Sequence, residues 1–185
     1  MMADRSPHSA FVCRRLARLA ARFARDRRGA TAVEFSLIAL PFFALLFGIL
    51  ELGMLFVLST SLDNATNTVA RTIRTGASPP PSAAKFKEAV CDELGWLASD
   101  CPSNLFVDID AFKTFGEVVT PTPIGAGKII KDGDYTVGAS EEIMLVRVFY
   151  QWKLITPLLT KAVDNVAGGK TLVTSTMTFR NEPYS

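Results

Sequence analysis

The longest hydrophobic segment of the chain runs from Phe35 to Leu58 and contains one charged residue, Glu51. As an α-helix its 24 residues would extend about 36 Å, more than the roughly 30 Å hydrocarbon layer of a bilayer. The segment also exceeds the usual apolar region of a removable signal peptide. The pattern therefore predicts a membrane-spanning helix, which Pro41 is expected to bend.

Beyond Leu58 the hydrophobic positions narrow to a stripe with intervals of four, three, four and four residues, which is typical of an amphipathic helix. The stripe consists of Leu58, Leu62, Ala65, Val69 and Ile73. Gly76 is placed to end this helix, and the consecutive prolines of "GASPPPS" cannot continue it. We therefore predict one helix over residues 30–75, first apolar on all sides and then amphipathic, followed by a proline-rich break over 76–82.

Residues 83–185 combine helical and strand-like patterns and predict a compact α+β head. The expected elements are a helix at 83–98, strands at 107–111, 143–152 and 171–180, a hairpin through 128–130 and 135–137, and a short helix at 157–166. The first strand is expected to be half-buried, because Val107 and Ile109 alternate with Asp108 and Asp110. Sequential strands joined by turns favour an antiparallel sheet.

The charges divide the chain sharply. Of its 20 basic and 18 acidic residues, eight arginines and two aspartates lie within residues 1–28. Arginines beside an apolar span hold that end in the cytoplasm, so we predict a basic cytoplasmic leader over 1–29 and an exported head. Contact with nucleic acid or anionic lipid is the alternative for the arginines. No aromatic platform accompanies them, and no nucleic-acid partner is expected.

Cys91 and Cys101 lie in the part expected to meet oxidising conditions, where a disulfide between them is a hypothesis. Two buried free thiols are the alternative. The only histidine, His8, lies in the leader, so neither a zinc site nor a Ser-His-Asp triad is expected in the head. The fragments "GAGK" and "DGD" lack the rest of a phosphate loop or calcium loop and are predicted to be turns. We expect a protein without a cofactor or metal that is not an enzyme, although carboxylate or lysine chemistry remains conceivable.

Two carboxylates lie within or beside the apolar segment. An ionised carboxylate in a membrane helix costs about 3 kcal/mol and usually has a partner. Glu34 is close enough to the edge to reach the cytoplasmic headgroups beside Arg28. We expect Glu51 to lie among the outer headgroups, with an intramembrane contact as the alternative.

The motif "G-ATAVEF", from Gly29 to Phe35, resembles the processing site of class III and type IV prepilins. In that family a membrane peptidase cuts after the glycine, and the glutamate is the fifth residue of the mature chain, as Glu34 is when Ala30 is the first. Cleavage would create an α-amino group at Ala30, with a pKa near 8. Glu34 of a neighbouring subunit could neutralise it, since two charges about 4 Å apart gain about 4 kcal/mol at an effective dielectric constant of about 20. Such a pair would select the axial register between helices.

A longer stretch, residues 25–53, is similar to the amino-terminal motif of TadE-like minor pseudopilins of the tight-adherence (Tad) pilus, with its Pro41 and its "GILELG" element. The segments "VRVFYQWKLITPLL" and "TFRNEPY" are similar to that family's closing segments, and Cys91 and Cys101 lie in the expected region. For subunit assembly the resemblance points to Glu34 and Pro41.

The resemblance implies a pilin-like subunit that helps to assemble or initiate an adhesive pilus. It would lie in the bacterial inner membrane with its amino terminus in the cytoplasm and its head in the periplasm. The implied partners are a prepilin peptidase, other pilins or pseudopilins, inner-membrane pilus assembly proteins and the lipid bilayer. The alternative is an uncleaved, single-pass anchored domain that binds a ligand or scaffolds a complex of the cell envelope.

Overall fold

The computed structural model describes residues 29–95, 100–120, 132–156 and 166–183. The chain divides into two compact units, Met1–Leu46 and Phe47–Ser185, and helix α1, Ala30–Thr75, contributes residues to both. The remaining elements are α2 (Ala83–Leu94), α3 (Cys101–Asn104), β1 (Leu105–Phe112), a 3-10 turn (Phe115–Glu117), β2 (Ile143–Lys153) and β3 (Lys170–Arg180). This is the predicted α+β fold: a long apolar helix followed by a small head with a helix and an antiparallel sheet.

In the first unit, α1 is apolar on all sides and its large side chains are exposed, with Phe35, for example, 69% exposed. The helix continues through Pro41, although the ring nitrogen cannot donate the usual hydrogen bond to the carbonyl one turn earlier. A helix that is hydrophobic all round requires an apolar environment. The helix is long and apolar enough to cross a membrane.

In the second unit, the predicted stripe of α1 forms the core of the head. All five of its members are buried, and they belong to one cluster with Phe86 and Val90 of α2 and Val146 and Val148 of β2. The helix ends where the sequence predicts. Gly76 has a φ of 66°, a left-handed conformation that glycine adopts without a steric penalty, and its N–H donates to the carbonyl of Ile73.

The sheet has the order β1-β2-β3 and both pairs are antiparallel. In its register Ile109 lies opposite Val146, and Val146 lies opposite Met177. One face of β2, which includes Tyr150, packs in the core cluster. Phe149, on the other face, is buried as well, so the central strand is enclosed on both sides.

The structure corrects the expected end of α2. The helix ends at Leu94 rather than near residue 98, because Gly95 takes a φ of 55° and its N–H donates to the carbonyl of Cys91. At the other end, the Ser82 side chain accepts a hydrogen bond from the N–H of Lys85 and caps the helix.

The segment between β1 and β2 also differs from the expectation. Tyr135 forms an isolated parallel bridge with Ile109 of β1, so residues 135–137 are not a strand of a hairpin. The other expected hairpin strand, 128–130, lies outside the described residues. The expected short helix at 157–166 lies outside them too, apart from its last residue.

Cys91 of α2 and Cys101 of α3 form a disulfide with their Cα atoms 5.6 Å apart. The hypothesis of a bonded pair is therefore confirmed over that of two free thiols. The bond spans a sequence separation of 10, and closing a loop of about that size stabilises a fold by roughly 3 kcal/mol in the chain-entropy model. It fixes the end of α2 to the start of the segment that leads into β1.

Candidate functional site

The predicted processing motif lies at the start of α1. Gly29 directly precedes the first helical residue, Ala30. A Cβ atom added at Gly29 would meet nothing within 4 Å among the described residues, and its φ does not lie in the left-handed region. Within the part of the chain that the structure describes, the fold therefore does not require glycine at this position.

The side chains that follow Gly29 are exposed. Glu34 and Phe35 both point away from the described parts of the chain, and Glu34 forms no ion pair or hydrogen bond within those parts. The neighbouring Ser36 hydroxyl donates to the carbonyls of Ala32 and Val33 in its own helix, at 2.7 and 3.0 Å. Within the described residues, the carboxylate of Glu34 is therefore an exposed charged group that makes no bond to its own helix.

The second carboxylate of the apolar segment is not exposed. Glu51 is 7% exposed, and its carboxylate accepts hydrogen bonds from the backbone N–H groups of Ile155 and Thr156, the latter at 2.8 Å. The backbone of the head therefore encloses this carboxylate, and its expected place among the outer headgroups stays a prediction. We call this contact the Glu51 tie.

The sequence contains a signal for the burial of Glu51. Glu51 lies seven residues, or two helical turns, before Leu58, and therefore falls on the same face as the buried stripe. The stripe packs on the head, so its extension by two turns points Glu51 at the head too. The partner was not identifiable in this way, because Ile155 is 104 residues away in sequence.

The opposite end of this part of α1 is also fixed to the head. The carbonyl of Arg74 accepts a hydrogen bond from the N–H of Glu182 at 2.8 Å, and the two side chains form an ion pair at 3.4 Å. From Glu51 to Arg74 the helix extends about 35 Å, which matches the length of about 35 Å expected for the eleven residues of β2. The helix is thus held at both ends of the strand that it covers.

Asp108 and Arg147 form a buried ion pair between β1 and β2. Asp108 and Arg147 are 9% and 5% exposed, and Asp108 also accepts a hydrogen bond from the N–H of Asp134 at 3.1 Å. Asp108 is therefore a core residue, whereas the alternating pattern of a half-buried strand would turn it outward. A buried charge requires such a partner.

The "DGD" fragment packs against the outer edge of β1. Asp132 accepts hydrogen bonds from the N–H of Val107 at 3.1 Å and from the ammonium group of Lys87 at 2.6 Å. Gly133 passes so close to Asp108 that a Cβ atom would overlap its carboxylate. The carboxylate of Asp132 thus binds a backbone N–H of β1 and the ammonium group of a lysine of α2. Across the described ranges, no three His, Cys, Asp or Glu side chains come together to hold a metal ion.

The pKa shifts in the head have structural causes. Burial raises the pKa of Tyr135 to about 12, and the neutral hydroxyl donates to the carbonyl of Pro80 at 2.6 Å, which ties the proline-rich break to the head. Burial, and then the neighbouring charge of Asp108, raises the pKa of Asp110. Burial also raises the pKa of Tyr150.

Comparisons with known proteins find a family match along helix α1. Residues 29–71 match a family described as TadE-like protein. The match covers the predicted processing motif and most of α1. The resemblance to TadE-like proteins is therefore confirmed for this segment. No curated protein and no solved structure matches the chain.

Proposed function

We propose that this chain, TadE-like over residues 29–71, is a minor pilin-like subunit, or pseudopilin, that helps to assemble or initiate a Tad-type adhesive pilus. It works as a structural protein rather than as an enzyme. Its helix packs laterally against the helices of other pilin-like subunits, and its head contacts inner-membrane assembly proteins in the periplasm.

The observation that carries the proposal concerns Gly29 and Glu34, at the first turns of α1. The fold of the described residues has no need for a glycine at position 29, and Glu34 is the exposed charged residue of the mostly apolar segment 30–50 of α1. A glycine and a carboxylate at these two positions suit recognition by other molecules: a prepilin peptidase for Gly29, and a neighbouring subunit for Glu34.

Cleavage after Gly29 would give Ala30 a free amino group, cationic below a pKa near 8. In an apolar environment that cation and the Glu34 carboxylate of a neighbouring subunit each carry a desolvation cost, and pairing offsets much of it. The two charges meet at a single axial offset between neighbouring helices. The pair therefore fixes the register of the helices and also strengthens their association. Pro41 lies two turns further on and leaves a carbonyl without its helical donor, which a neighbouring helix can satisfy.

We expect Glu34→Ala to reduce the recovery of partner pseudopilins about tenfold or more, because each 1.4 kcal/mol of lost pairing lowers an association constant tenfold. The measurement is quantitative mass spectrometry of proteins that co-purify with the chain after crosslinking in native membranes. Ser36→Ala is the matched control, since within the described residues the Ser36 hydroxyl donates to carbonyls of its own helix, and it should behave as wild type. Equal recovery with Glu34→Ala, at unchanged membrane insertion, would rule out the charge pair.

The alternative function is an uncleaved, anchored binding or scaffolding domain. The exposed apolar surface of α1 is compatible with it, since a plain membrane anchor has the same surface. The two functions differ at the amino terminus, because only the pilin-like subunit loses its arginine-rich leader.

A further inference from the structure

The end of β2 carries an unusual hydrophobic side chain. Ile155 is 81% exposed, the highest value among the large hydrophobic residues that the structure describes. The preceding residue, Leu154, is buried, so the chain turns one side chain into the core and the next one outward. Full exposure of an isoleucine to water forfeits about 1.5 to 3 kcal/mol relative to burial.

The position of Ile155 follows from the Glu51 tie. Its N–H group donates to the Glu51 carboxylate, so this part of the head lies against α1 at the level of Glu51. That level lies seven residues before the apolar segment ends at Leu58, or about 10 Å along the helix. The large side chains of Leu52 and Phe56, next to this level, are exposed too. Ile155 therefore extends the exposed apolar surface of α1 onto the head.

We propose that Ile155 inserts into the outer leaflet of the membrane that α1 crosses, and that the Glu51 tie is what allows the end of β2 to enter this apolar layer. The proposal requires a membrane-spanning α1, and it is independent of any role in a pilus. Lipid acyl chains are the molecules that contact the surface around Ile155.

The hydrogen bonds of the Glu51 tie support a position of Ile155 within the apolar layer of the membrane. In hydrocarbon an unpaired backbone N–H costs several kcal/mol, and an ionised carboxylate costs about 3 kcal/mol or more. The contact pairs the N–H groups of Ile155 and Thr156 with one carboxylate, so each component satisfies the other. In water, solvent would satisfy all three groups and no such pairing would be required.

The residues beside Ile155 fit the boundary of a bilayer. Lys153, two residues earlier, is exposed, and a lysine at the edge of an apolar surface reaches the headgroup phosphates. Depths of about 5 to 10 Å are typical of apolar faces that lie in the headgroup and acyl boundary. The exposed apolar side chains of α1 continue to Val57, about 9 Å beyond Glu51 along the helix, which agrees with that range.

A label placed at Ile155 tests the proposal in the full chain. Cys13 is first replaced by serine, because the Cys91–Cys101 disulfide then leaves the introduced cysteine as the free thiol. The Ile155→Cys variant carries an environment-sensitive fluorophore and is reconstituted, at low protein density, into phosphatidylcholine and phosphatidylglycerol vesicles. Lipids that bear a spin label near the top of the acyl chain act as quenchers.

Phe115→Cys is the matched control, because Phe115 is 64% exposed but lies just beyond Phe112, which pairs with Ile143 at the opposite end of β2. The two labels are thus separated by about the length of the strand, roughly 35 Å. We expect quenching at position 155 to exceed that at position 115 about threefold or more, as befits a group about 5 to 10 Å deep. Equal quenching at the two positions would overturn the proposal.

A third label distinguishes a failure of Ile155 to insert from a failure of α1 to span the membrane. Leu45→Cys reports on the apolar segment itself, since Leu45 is exposed on α1. Quenching at position 45 without quenching at position 155 would overturn the insertion of Ile155 and leave the membrane span intact. Crosslinking of position 155 to another copy of the chain, in place of quenching by lipid, would also overturn it, because the occupant would then be protein.

Discussion

The Asp108→Ala variant is expected to lose about 3 to 5 kcal/mol of its free energy of unfolding, because the change removes the carboxylate with which the buried Arg147 forms its ion pair. The ion pair is nearly closed to solvent, with Arg147 and Asp108 side chains 6% and 12% exposed, so water cannot replace the lost carboxylate. The N–H of Asp134 loses its acceptor as well. The measurement is denaturant unfolding of the full chain in detergent, followed by the fluorescence of the β2 residue Trp152 with Trp96 replaced by phenylalanine.

Two further variants make this prediction specific. Lys85→Ala removes an exposed ion pair with Glu88 and should leave the unfolding midpoint unchanged, since exposed pairs contribute little. The double variant Asp108→Leu, Arg147→Met should recover much of the lost stability, because a buried ion pair can be replaced by apolar side chains of similar volume. A single variant as stable as the wild type would contradict the assignment of this pair to the core.

The Glu51→Leu variant is expected to increase hydrogen exchange at the backbone N–H groups of Ile155 and Thr156 about tenfold to a hundredfold. Both groups lose their acceptor, and an unsatisfied buried donor costs about 1 to 3 kcal/mol. The measurement is hydrogen–deuterium exchange of the full chain in lipid nanodiscs, read on peptides that contain residues 153–156.

Glu51→Gln should give a smaller increase, since its amide oxygen can still accept one of the two hydrogen bonds. Glu34→Leu is the control at the other carboxylate of the apolar segment and should leave exchange at these positions unchanged. If Glu51→Leu also leaves it unchanged, the Glu51 tie does not hold the head, and the depth argued for Ile155 loses its basis.

The helix was largely predictable from the sequence because its signals are local. The stripe from Leu58 to Ile73 repeats with the helical period, and Gly76 and the following prolines end it. Each of these signals depends on neighbours within two turns. The disulfide could be stated as a hypothesis only, since the sequence did not fix how close Cys91 and Cys101 lie.

The buried polar contacts were not predictable, because they depend on pairing between distant segments. Asp108 alternates with apolar residues, and only the register that places it opposite Arg147 turns it into a core residue. Glu51 is charged within an apolar segment, and its acceptor role depends on the backbone of Ile155. Side-chain patterns carry no signal for a backbone partner.

For the candidate site, too, the sequence predicted some features and not others. The motif from Gly29 to Phe35 was recognised by resemblance, and the match over residues 29–71 confirms the TadE-like family for this segment. The cleavage itself and the pairing of Glu34 remain predictions, because both involve other molecules. The fold accounts for the burial of Glu51 but gives no internal reason for the glycine or for the exposed carboxylate of Glu34.

The mass of the mature chain isolated from its native membrane tests the proposed function most directly. A processed pilin-like subunit has Ala30 as its first residue and bears the amino group that Glu34 is proposed to meet. Intact-mass measurement, with sequencing of the amino-terminal peptide, should therefore find a chain that begins at Ala30. A chain that retains residues 1–29 would contradict the account and leave a tethered domain of the cell envelope in its place.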